Sequence, residues 1–366
     1  MKRLIVMLLA GCMLLYACDF SSLSPTADPT LTQPPTTQST DPASTTEPTD
    51  PVPRYAHPLT GEPLDEPFTG RCVAVIINNI RQAQPLYGIG DADILYETIA
   101  EGGGTITRCL AVYSDISQAK KIGSIRSART YLVDLARAHN AVLIHCGGSD
   151  YSLDELKELN YDAINEFYNG KYFYRDQERY AAGYAWEHTL FSDGVTLLDG
   201  IEKKGFSMTA SYEPLLVPAF AQDAAPEEGT PALTVTVRFF KNGKETSMRY
   251  DEKTGCYYGE QRWKVDGEYA YAATLQDAST EEAVGYRNVL ALFVKTTSNG
   301  YRMFTEQTGS GDGYFACGGK IVPIRWHRES LDDPFTYTLT DGSPLILGIG
   351  KTYAAILPIG SPVEAQ

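Results

Sequence analysis

Cys72 to Ile77 (CVAVII) is an unbroken apolar run rich in β-branched residues. Arg108 to Tyr113 (RCLAVY) and Ala141 to Cys146 (AVLIHC) have the same character. Runs of this length without polar alternation are typical of strands that are covered on both faces. Together with the helical segments between them, these strands predict an α/β sandwich with a mixed sheet.

Three segments near these strands have helical patterns. Apolar residues recur at three-and-four spacing over Ser127 to Asn140, between the second and third strands. Ser152-Leu153-Asp154-Glu155 has the Ser-x-x-Glu form of a capping box and predicts a second helix, which runs through Leu159. Asp193 to Lys204 is the third predicted helix.

The second half of the chain has a different pattern. Leu233 to Phe240 (LTVTVRFF) alternates between apolar and polar residues, and short apolar runs separated by glycine turns continue to Leu357. Such alternation with frequent turns is typical of antiparallel sheets. The predicted fold class is therefore α+β, with an N-terminal α/β sandwich domain followed by a mostly antiparallel β-rich C-terminal domain.

Composition divides the chain further, because prolines crowd at 214, 218, 226 and 231 between the two patterned halves. The predicted organisation is a lipoprotein signal peptide over 1–17, a lipidated cysteine and Ser/Thr/Pro-rich spacer over 18–57, an N-terminal domain over 58–210, a linker over 211–231 and a C-terminal domain over 232–362. The spacer contains few large residues that would repay the entropy cost of ordering it, so we expect it to be disordered.

The leader decides where the protein works. Lys2 and Arg3 precede an apolar run that ends at Leu15-Tyr16-Ala17-Cys18, which resembles the lipobox of bacterial lipoproteins. We expect cleavage before Cys18, with a diacylglycerol on that cysteine holding the protein to the outside of the cell membrane. Cys12 stays open as an alternative, because Leu9-Ala10-Gly11-Cys12 fits the lipobox consensus better but leaves an h-region of only seven residues. An uncleaved anchor is the other alternative.

Charge narrows the class of partner. The formal net charge is −15, and it becomes −17 once Lys2 and Arg3 leave with the signal peptide. This excess of negative charge argues against nucleic acid and against electrostatic adhesion to anionic lipids. The sequence therefore predicts membrane attachment through acyl chains.

Polar residues concentrate between Glu97 and Arg129. Glu97, the segment Glu101-Gly102-Gly103-Gly104-Thr105 and Arg108 precede Arg126-Ser127-Ala128-Arg129 at the start of the first predicted helix. Free helix amides and two guanidinium groups at one helix start predict a binding site for a carboxylate or phosphate. The alternative is that Ser127 caps the helix while the arginines form internal ion pairs with the two glutamates.

Three further residues are expected to line the same pocket. His145 ends the third predicted strand just before Gly147-Gly148-Ser149, and ligands of open α/β sheets gather at the carboxyl ends of strands. Ser149 belongs to that turn, and His188 is expected to join it through the fold. Cys146 is not expected to pair with His145 in a catalytic dyad, because neighbouring side chains on a strand point to opposite faces. No spacing predicts a metal or cofactor, and no catalytic residue is assigned.

Aromatic residues form a second cluster. Their rings could stack on sugars or pack in a core. The cluster comprises Phe167, Tyr168, Tyr172, Phe173, Tyr174, Tyr180, Tyr184 and Trp186.

Several motifs resemble the YerB-like lipoprotein family. They occur in one order across nearly the whole folded region: Gly90 to Glu97, Glu101 to Arg108, Ile122 to Tyr131, His145 to Ser149, Phe173-x-Arg175, His188 to Phe191, Gly313-Tyr314, Gly319-Lys320, Ile324-x-Trp326 and Gly350 to Thr352. The chain departs from the family pattern at Ser124, where proline is usual, and at Cys146. The resemblance implies a lipid-anchored protein with paired N- and C-terminal domains, and it implies no particular reaction.

Three functions follow from these observations. The first is a non-enzymatic binding or scaffolding lipoprotein, whose partner is an anionic small molecule or an envelope protein. The second is an envelope hydrolase or transferase acting on peptidoglycan-like material, with Glu97 or Glu101 as acid or base and His145 or His188 assisting. The third is a solute receptor, although such receptors usually have two similar lobes and these halves differ. The binding lipoprotein is the function we predict.

Overall fold

The structure is a computed structural model that describes residues 55–101, 106–210, 218–240, 243–300 and 302–366. The predicted signal peptide, Cys12, Cys18 and all but the end of the predicted spacer lie outside the described residues. The glycines of the Glu101 loop, Gly102 to Gly104, lie outside them as well.

The first half of the chain combines short helices with strands. Its strands are Tyr55–Ala56 (β1), Pro63–Leu64 (β2), Val73–Asn79 (β3), Ile94–Glu101 (β4), Ile106–Tyr113 (β5), Ile122–Gly123 (β6), Val142–His145 (β7), Ala163–Asn165 (β8), Tyr174–Arg175 (β9) and Leu190–Ser192 (β10). Its α-helices are Thr130–Arg137 (α1), Asp150–Glu158 (α2), Glu166–Asn169 (α3), Gln177–Ala181 (α4) and Gly194–Lys204 (α5). Its 3₁₀ turns include Arg81–Ala83, Gly170–Tyr172 and Trp186–His188.

The second half consists of strands among its described residues. They are Ala219–Ala221 (β11), Thr230–Pro231 (β12), Thr234–Arg238 (β13), Glu245–Asp251 (β14), Cys256–Val265 (β15), Glu268–Thr274 (β16), Gln276–Asp277 (β17), Glu282–Ala283 (β18), Gly285–Tyr286 (β19), Asn288–Ser298 (β20), Met303–Glu306 (β21), Gly309–Cys317 (β22), Lys320–Arg328 (β23), Thr336–Leu339 (β24), Ile346–Gly348 (β25), Thr352–Pro358 (β26) and Val363–Ala365 (β27).

The three apolar runs form neighbouring strands of one mixed sheet, as predicted. β3 pairs in parallel with β7, and β7 pairs in parallel with β8. β5 lies antiparallel between β3 and β4. The carboxyl ends of β3, β4, β7 and β8 consequently lie at the same edge of the sheet, together with the start of β5.

Both faces of this sheet are covered, which explains the absence of polar alternation in β3. Val75 and Ile77 pack in the same core as Leu197 of α5. Ala74 and Ile76 face the other way, into the core that contains Leu132 of α1. Each side chain of the run is therefore buried, and β-branched residues suit such a doubly covered strand.

The second half adds antiparallel pairs, as predicted, but it also extends the first sheet. β13 to β16 and β27 form an antiparallel sheet with β19 attached. β26 pairs in parallel with both β20 and β4, so one sheet runs through the N-terminal and the C-terminal halves. The short strands β11 and β12 lie inside the predicted linker and pair with β25 and β23. The predicted domain boundaries stay a prediction.

The helices differ from the predictions at their ends. α1 begins at Thr130 with Arg129 as its N-cap, so Ser127 does not cap it. The reason is that the Ala128 N–H donates to Gly147 O at 3.0 Å, which holds this segment in extended backbone. α2 is capped by Ser149, whose oxygen accepts from Ser152 N, so the predicted capping box at Ser152 is wrong by three residues. Asp193 does cap α5, as the third predicted helix requires.

None of the helices in the described ranges combines the length and the hydropathy of a membrane-spanning helix.

Two carboxyl groups meet between α1 and α2. Asp134 is 7% exposed, and the Glu155 side chain accepts from Arg137 at 3.4 Å. Burial raises the pKa of Asp134 to about 6, and burial together with the Asp134 charge raises the pKa of Glu155 to about 8. The two groups interact, so they titrate as a pair. The folded state therefore holds protons here that the unfolded chain has released.

We expect the fold to lose stability as the pH rises from about 4 to about 8, because a raised carboxyl pKa stabilises only while the group stays protonated. Glu155→Gln should flatten this slope by about 1–3 kcal/mol over that range. Urea unfolding at a series of pH values measures the slope, and Asp154→Asn on the exposed side of α2 is the control. Equal slopes for the wild type and Glu155→Gln would contradict the assignment.

Candidate functional site

The candidate site lies at the carboxyl edge of β3 and β7. The two strands pair only over Val73 to Val75, and beyond this point a segment that contains Arg126 enters between them. The Arg126 N–H donates to Ile76 O at 2.9 Å, and the Cys146 N–H donates to Arg126 O at 3.0 Å. The segment therefore adds backbone hydrogen bonds to both strands and brings its side chains to the edge where β7 ends.

Four guanidinium groups gather there, and we call Arg108, Arg126, Arg129 and Arg302 the arginine cluster. Arg129 donates to Glu101 through Nε at 3.0 Å and through Nη2, and Arg302 also donates to Glu101. Arg108 donates to Ser127 O at 2.8 Å. The predicted pairing of Arg129 with Glu101 is therefore present. Arg302 lies in the turn between β20 and β21, and no local sequence pattern indicated that it would join the cluster.

Electrostatics at this edge favour an anion. Burial and the charge of Arg129 lower the pKa of Arg108 to about 9. Burial alone would raise the pKa of Glu101, but its hydrogen bond with Arg129 and the surrounding arginine charges lower it overall. Four guanidinium groups face two carboxylates here, Glu101 and Glu187, within a chain whose net charge is −15. The local sign of charge is thus opposite to that of the whole protein.

Arg126 is the member of the cluster with the weakest internal pairing. Its nearest carboxylate is Glu187, at 3.9 Å from Nη1, and the Glu187 side chain is 57% exposed. Its Nε is buried and has no hydrogen-bond partner among the described residues. A buried donor without a partner costs free energy. The Arg126 side chain as a whole is nevertheless 22% exposed, so part of it is open to solvent.

Of the two predicted histidines, His188 is the one that the charge of Arg126 influences in the described structure. His188 lies beside Arg126, with Nδ1 at 3.0 Å from Asn78 Nδ2 and Nε2 at 3.6 Å from Glu187. Burial lowers the pKa of His188, and the charge of Arg126 acts in the same direction. His145 is 1% exposed, its Nδ1 lies 2.7 Å from Gly147 O, and burial lowers its pKa. Both rings are therefore neutral at pH 7.

Two predicted site residues, Ser149 and Ser127, make contacts within the protein that support its fold. The Ser149 hydroxyl caps α2 and is 4% exposed. Ser127 presents its backbone carbonyl to Arg108, and it does not begin a helix. The sequence predicted that free amides at a helix start near Ser127 would bind the anion. The helix instead begins at Thr130, so the guanidinium groups carry the positive charge of the site.

Glu97 lies outside the candidate site. A bulge in β4 between Ile99 and Glu101 shifts the register, so Glu97 packs with the second sheet while Glu101 meets Arg129. Glu97 is fully buried and pairs with Lys244 of the same burial. Its other donors are Asn79, Thr107, Thr246 and Tyr353. A carboxylate so enclosed has no route to a substrate, so Glu101 is the remaining acid or base candidate of the hydrolase hypothesis.

Cys146 has no features of a nucleophile. Its Sγ donates to Glu166 Oε2 at 3.4 Å, and burial together with the Glu166 charge raises its pKa to about 11. The thiol is therefore protonated at pH 7, and the thiolate is the reactive form.

Cavities lie at both edges of the sheet. His188 lines one of about 340 Å³ with Gln82 and residues 182–185. A larger one of about 430 Å³ lies near the amino ends of β4 and β26, where Tyr96, His139 and Phe335 form part of its wall. No site residue was predicted there from the sequence.

In the described part of the chain, no group of three or more His, Cys, Asp or Glu side chains is arranged to hold a metal ion.

The chain is similar to known proteins in both sequence and structure. It matches the N-terminal domain of "Protein of unknown function (DUF3048)" over residues 59–207 and the corresponding C-terminal domain over residues 235–354. It is 26% identical over 307 residues to "Putative lipoprotein YerB" of Bacillus subtilis (strain 168), a match that covers 82% of this chain and 86% of the relative. The crystal structure of the YerB protein from Bacillus subtilis has a TM-score of 0.70 at 23% identity, and the match covers 85% of this chain and 100% of that chain.

Proposed function

Because this chain belongs to the YerB-like family with paired DUF3048 domains, we propose that it is an extracytoplasmic lipoprotein that binds an anionic ligand through its arginine cluster. The name of its relative, "Putative lipoprotein YerB", agrees with the lipobox before Cys18. Two acyl chains on that cysteine attach a protein stably, whereas one chain attaches it only marginally. We therefore expect the protein to act at the outer face of the cell membrane.

The observation that supports the binding role is the weak pairing of Arg126, whose side chain is 22% exposed and whose nearest carboxylate, Glu187, lies 3.9 Å away. Guanidinium groups bind carboxylates and phosphates through paired N–H donors, and such charge-assisted bonds are about twice as strong as neutral ones. Arg108 and Arg129 are engaged with Ser127 and Glu101 and support the site, while Arg126 has no such close internal partner. Carboxylate or phosphate is therefore the proposed ligand group.

Inorganic phosphate is the simplest probe of this proposal. At constant ionic strength, titration with phosphate should shift the Nε–H NMR resonance of Arg126, and Arg126→Gln should weaken the affinity roughly tenfold or more. The matched control is Arg325→Gln, since Arg325 forms an exposed ion pair with Asp312 between β22 and β23 and does not belong to the arginine cluster. Among the described residues, Arg126→Gln removes no ion pair shorter than 3.9 Å, so we expect it to fold.

Two results would count against the proposal. One is a phosphate affinity that Arg126→Gln leaves unchanged. The other is equal weakening by Arg126→Gln and Arg325→Gln, which would indicate a diffuse charge effect and no defined site. Circular dichroism of each variant separates a lost site from a lost fold.

A further inference from the structure

Exposed aromatic side chains concentrate in one segment next to the arginine cluster. Of the seven aromatic residues that are strongly exposed among the described residues, five lie between positions 167 and 186. We call Phe167, Tyr168, Tyr174, Tyr180 and Trp186 the aromatic surface, and their exposed fractions are 68%, 82%, 42%, 53% and 52%. Of the predicted aromatic cluster, Tyr172 is instead buried. Concentrated apolar exposure of this kind marks interaction sites on soluble proteins.

Several of these rings are held in place. Tyr180 meets Trp186 edge to face, with ring centroids 5.6 Å apart. The Arg175 guanidinium lies 4.8 Å from the Trp186 ring centroid and donates to Trp186 O at 2.9 Å. Phe167 covers Gly147, where an added Cβ would come within 2.9 Å of its ring. The surface is thus ordered before any ligand arrives, which lowers the entropy cost of binding.

A chain of contacts joins the aromatic surface to the arginine cluster. Glu187 follows Trp186 directly and faces Arg126 at 3.9 Å. On the other side, Glu166 precedes Phe167 and lies 3.6 Å from Arg175 and 3.4 Å from Cys146 Sγ. A ligand bound at Arg126 would therefore lie next to the segment that carries Trp186.

We infer that the aromatic surface and Arg126 together bind a glycan that carries acidic groups, an inference that rests on the proposed function because Arg126 supplies the acidic subsite. Aromatic faces carry partial negative charge and attract the C–H groups of sugar rings, while tyrosine hydroxyls can hydrogen-bond to sugar hydroxyls. The carboxylate or phosphate of such a glycan matches the guanidinium groups.

Charge and polarity favour this ligand over other occupants. An anionic bilayer would face the net charge of −15 over its whole contact area, whereas an isolated acidic group of a glycan meets only the locally positive arginine cluster. A wholly apolar partner would leave the hydroxyls of Tyr168, Tyr174 and Tyr180 without hydrogen-bond partners. Sugars satisfy these hydroxyls and also cover the rings.

Tryptophan fluorescence provides a selective readout. The chain has three tryptophans, and Trp263 and Trp326 are only 5% and 3% exposed. Ligand-dependent protection from acrylamide quenching therefore reports on Trp186. We expect protection by soluble glycan strands of alternating N-acetylglucosamine and N-acetylmuramic acid, and weaker protection by the neutral N-acetylglucosamine tetramer.

Three variants separate the two parts of the site. Trp186→Ala should weaken calorimetric affinity for both glycans about tenfold, and Arg126→Gln should weaken only that for the acidic glycan. Tyr151→Ala is the matched control, since Tyr151 is 54% exposed on α2 and packs against Phe304. Trp186→Phe should recover part of the affinity, which distinguishes a stacking ring from a folding defect.

The outcomes distinguish this inference from the proposed function. Phosphate binding at Arg126 without any glycan binding would overturn the inference and leave the proposed function standing. Binding of poly-glutamate in place of glycans would also overturn it, because the occupant would then be an acidic peptide. Affinities that Trp186→Ala leaves unchanged would do the same.

Discussion

Replacing Lys244 with methionine should lower the free energy of unfolding by about 3–5 kcal/mol, because it leaves the Glu97 carboxylate buried without its counter-ion. Both side chains are fully buried, and Lys244 donates to Glu97 and to Thr246. Burial lowers the pKa of Lys244, and the charge of Glu97 opposes this effect. The pair also joins β4 of the N-terminal half to the second sheet, so its loss should weaken the contact between the two halves.

Urea unfolding of wild type and variant measures this loss. The double variant Glu97→Gln/Lys244→Met should recover most of the stability, since it removes both charges and keeps an acceptor for the buried donors around position 97. Lys295→Met is the matched control, because Lys295 pairs with Glu306 at the surface and such pairs contribute about 1 kcal/mol or less. Equal destabilisation by Lys244→Met and Lys295→Met would contradict the role we give the buried pair.

Cys18→Ser should abolish labelling of the protein by a palmitate analogue and move it from the membrane fraction to the soluble fraction. A serine hydroxyl cannot form the thioether that carries the diacylglycerol, and the remaining surface is too acidic to adhere to anionic lipids. The effect is therefore all or none.

Cys12→Ser is the control for this prediction. It should keep both the label and the membrane location, because the predicted cleavage lies just before Cys18. Loss of the label in Cys12→Ser alone would move the lipid to Cys12. An unlabelled wild-type protein would contradict lipid anchoring altogether.

The parts of the fold that the sequence predicted are those fixed by local pattern. β3, β5 and β7 follow from apolar runs, because a strand buried on both faces leaves no alternation in the sequence. α5 follows from Asp193, whose side chain caps it. α1 begins three residues after the predicted start. The cause is the hydrogen bond from Ala128 to Gly147, just after β7, which no local sequence pattern indicates.

The candidate site depends more than the fold does on contacts between residues that are far apart in the sequence. The sequence placed Arg108, Arg126 and Arg129 together through proximity to one helix start. It could not pair Arg302 with Glu101 or Lys244 with Glu97, since these partners are far apart in the chain. The bulge after Ile99 also has no clear sequence signal, yet it is what separates Glu97 from Glu101.

Crystals grown with selenate can show whether the arginine cluster at the carboxyl edge of β3 and β7 binds an anion, because selenium scatters anomalously and selenate resembles phosphate in shape and charge. We expect an anomalous peak within hydrogen-bonding distance of the Arg126 guanidinium in the wild type, and no such peak in Arg126→Gln. Selenate bound only elsewhere, or bound equally at this edge in both proteins, would contradict this expectation.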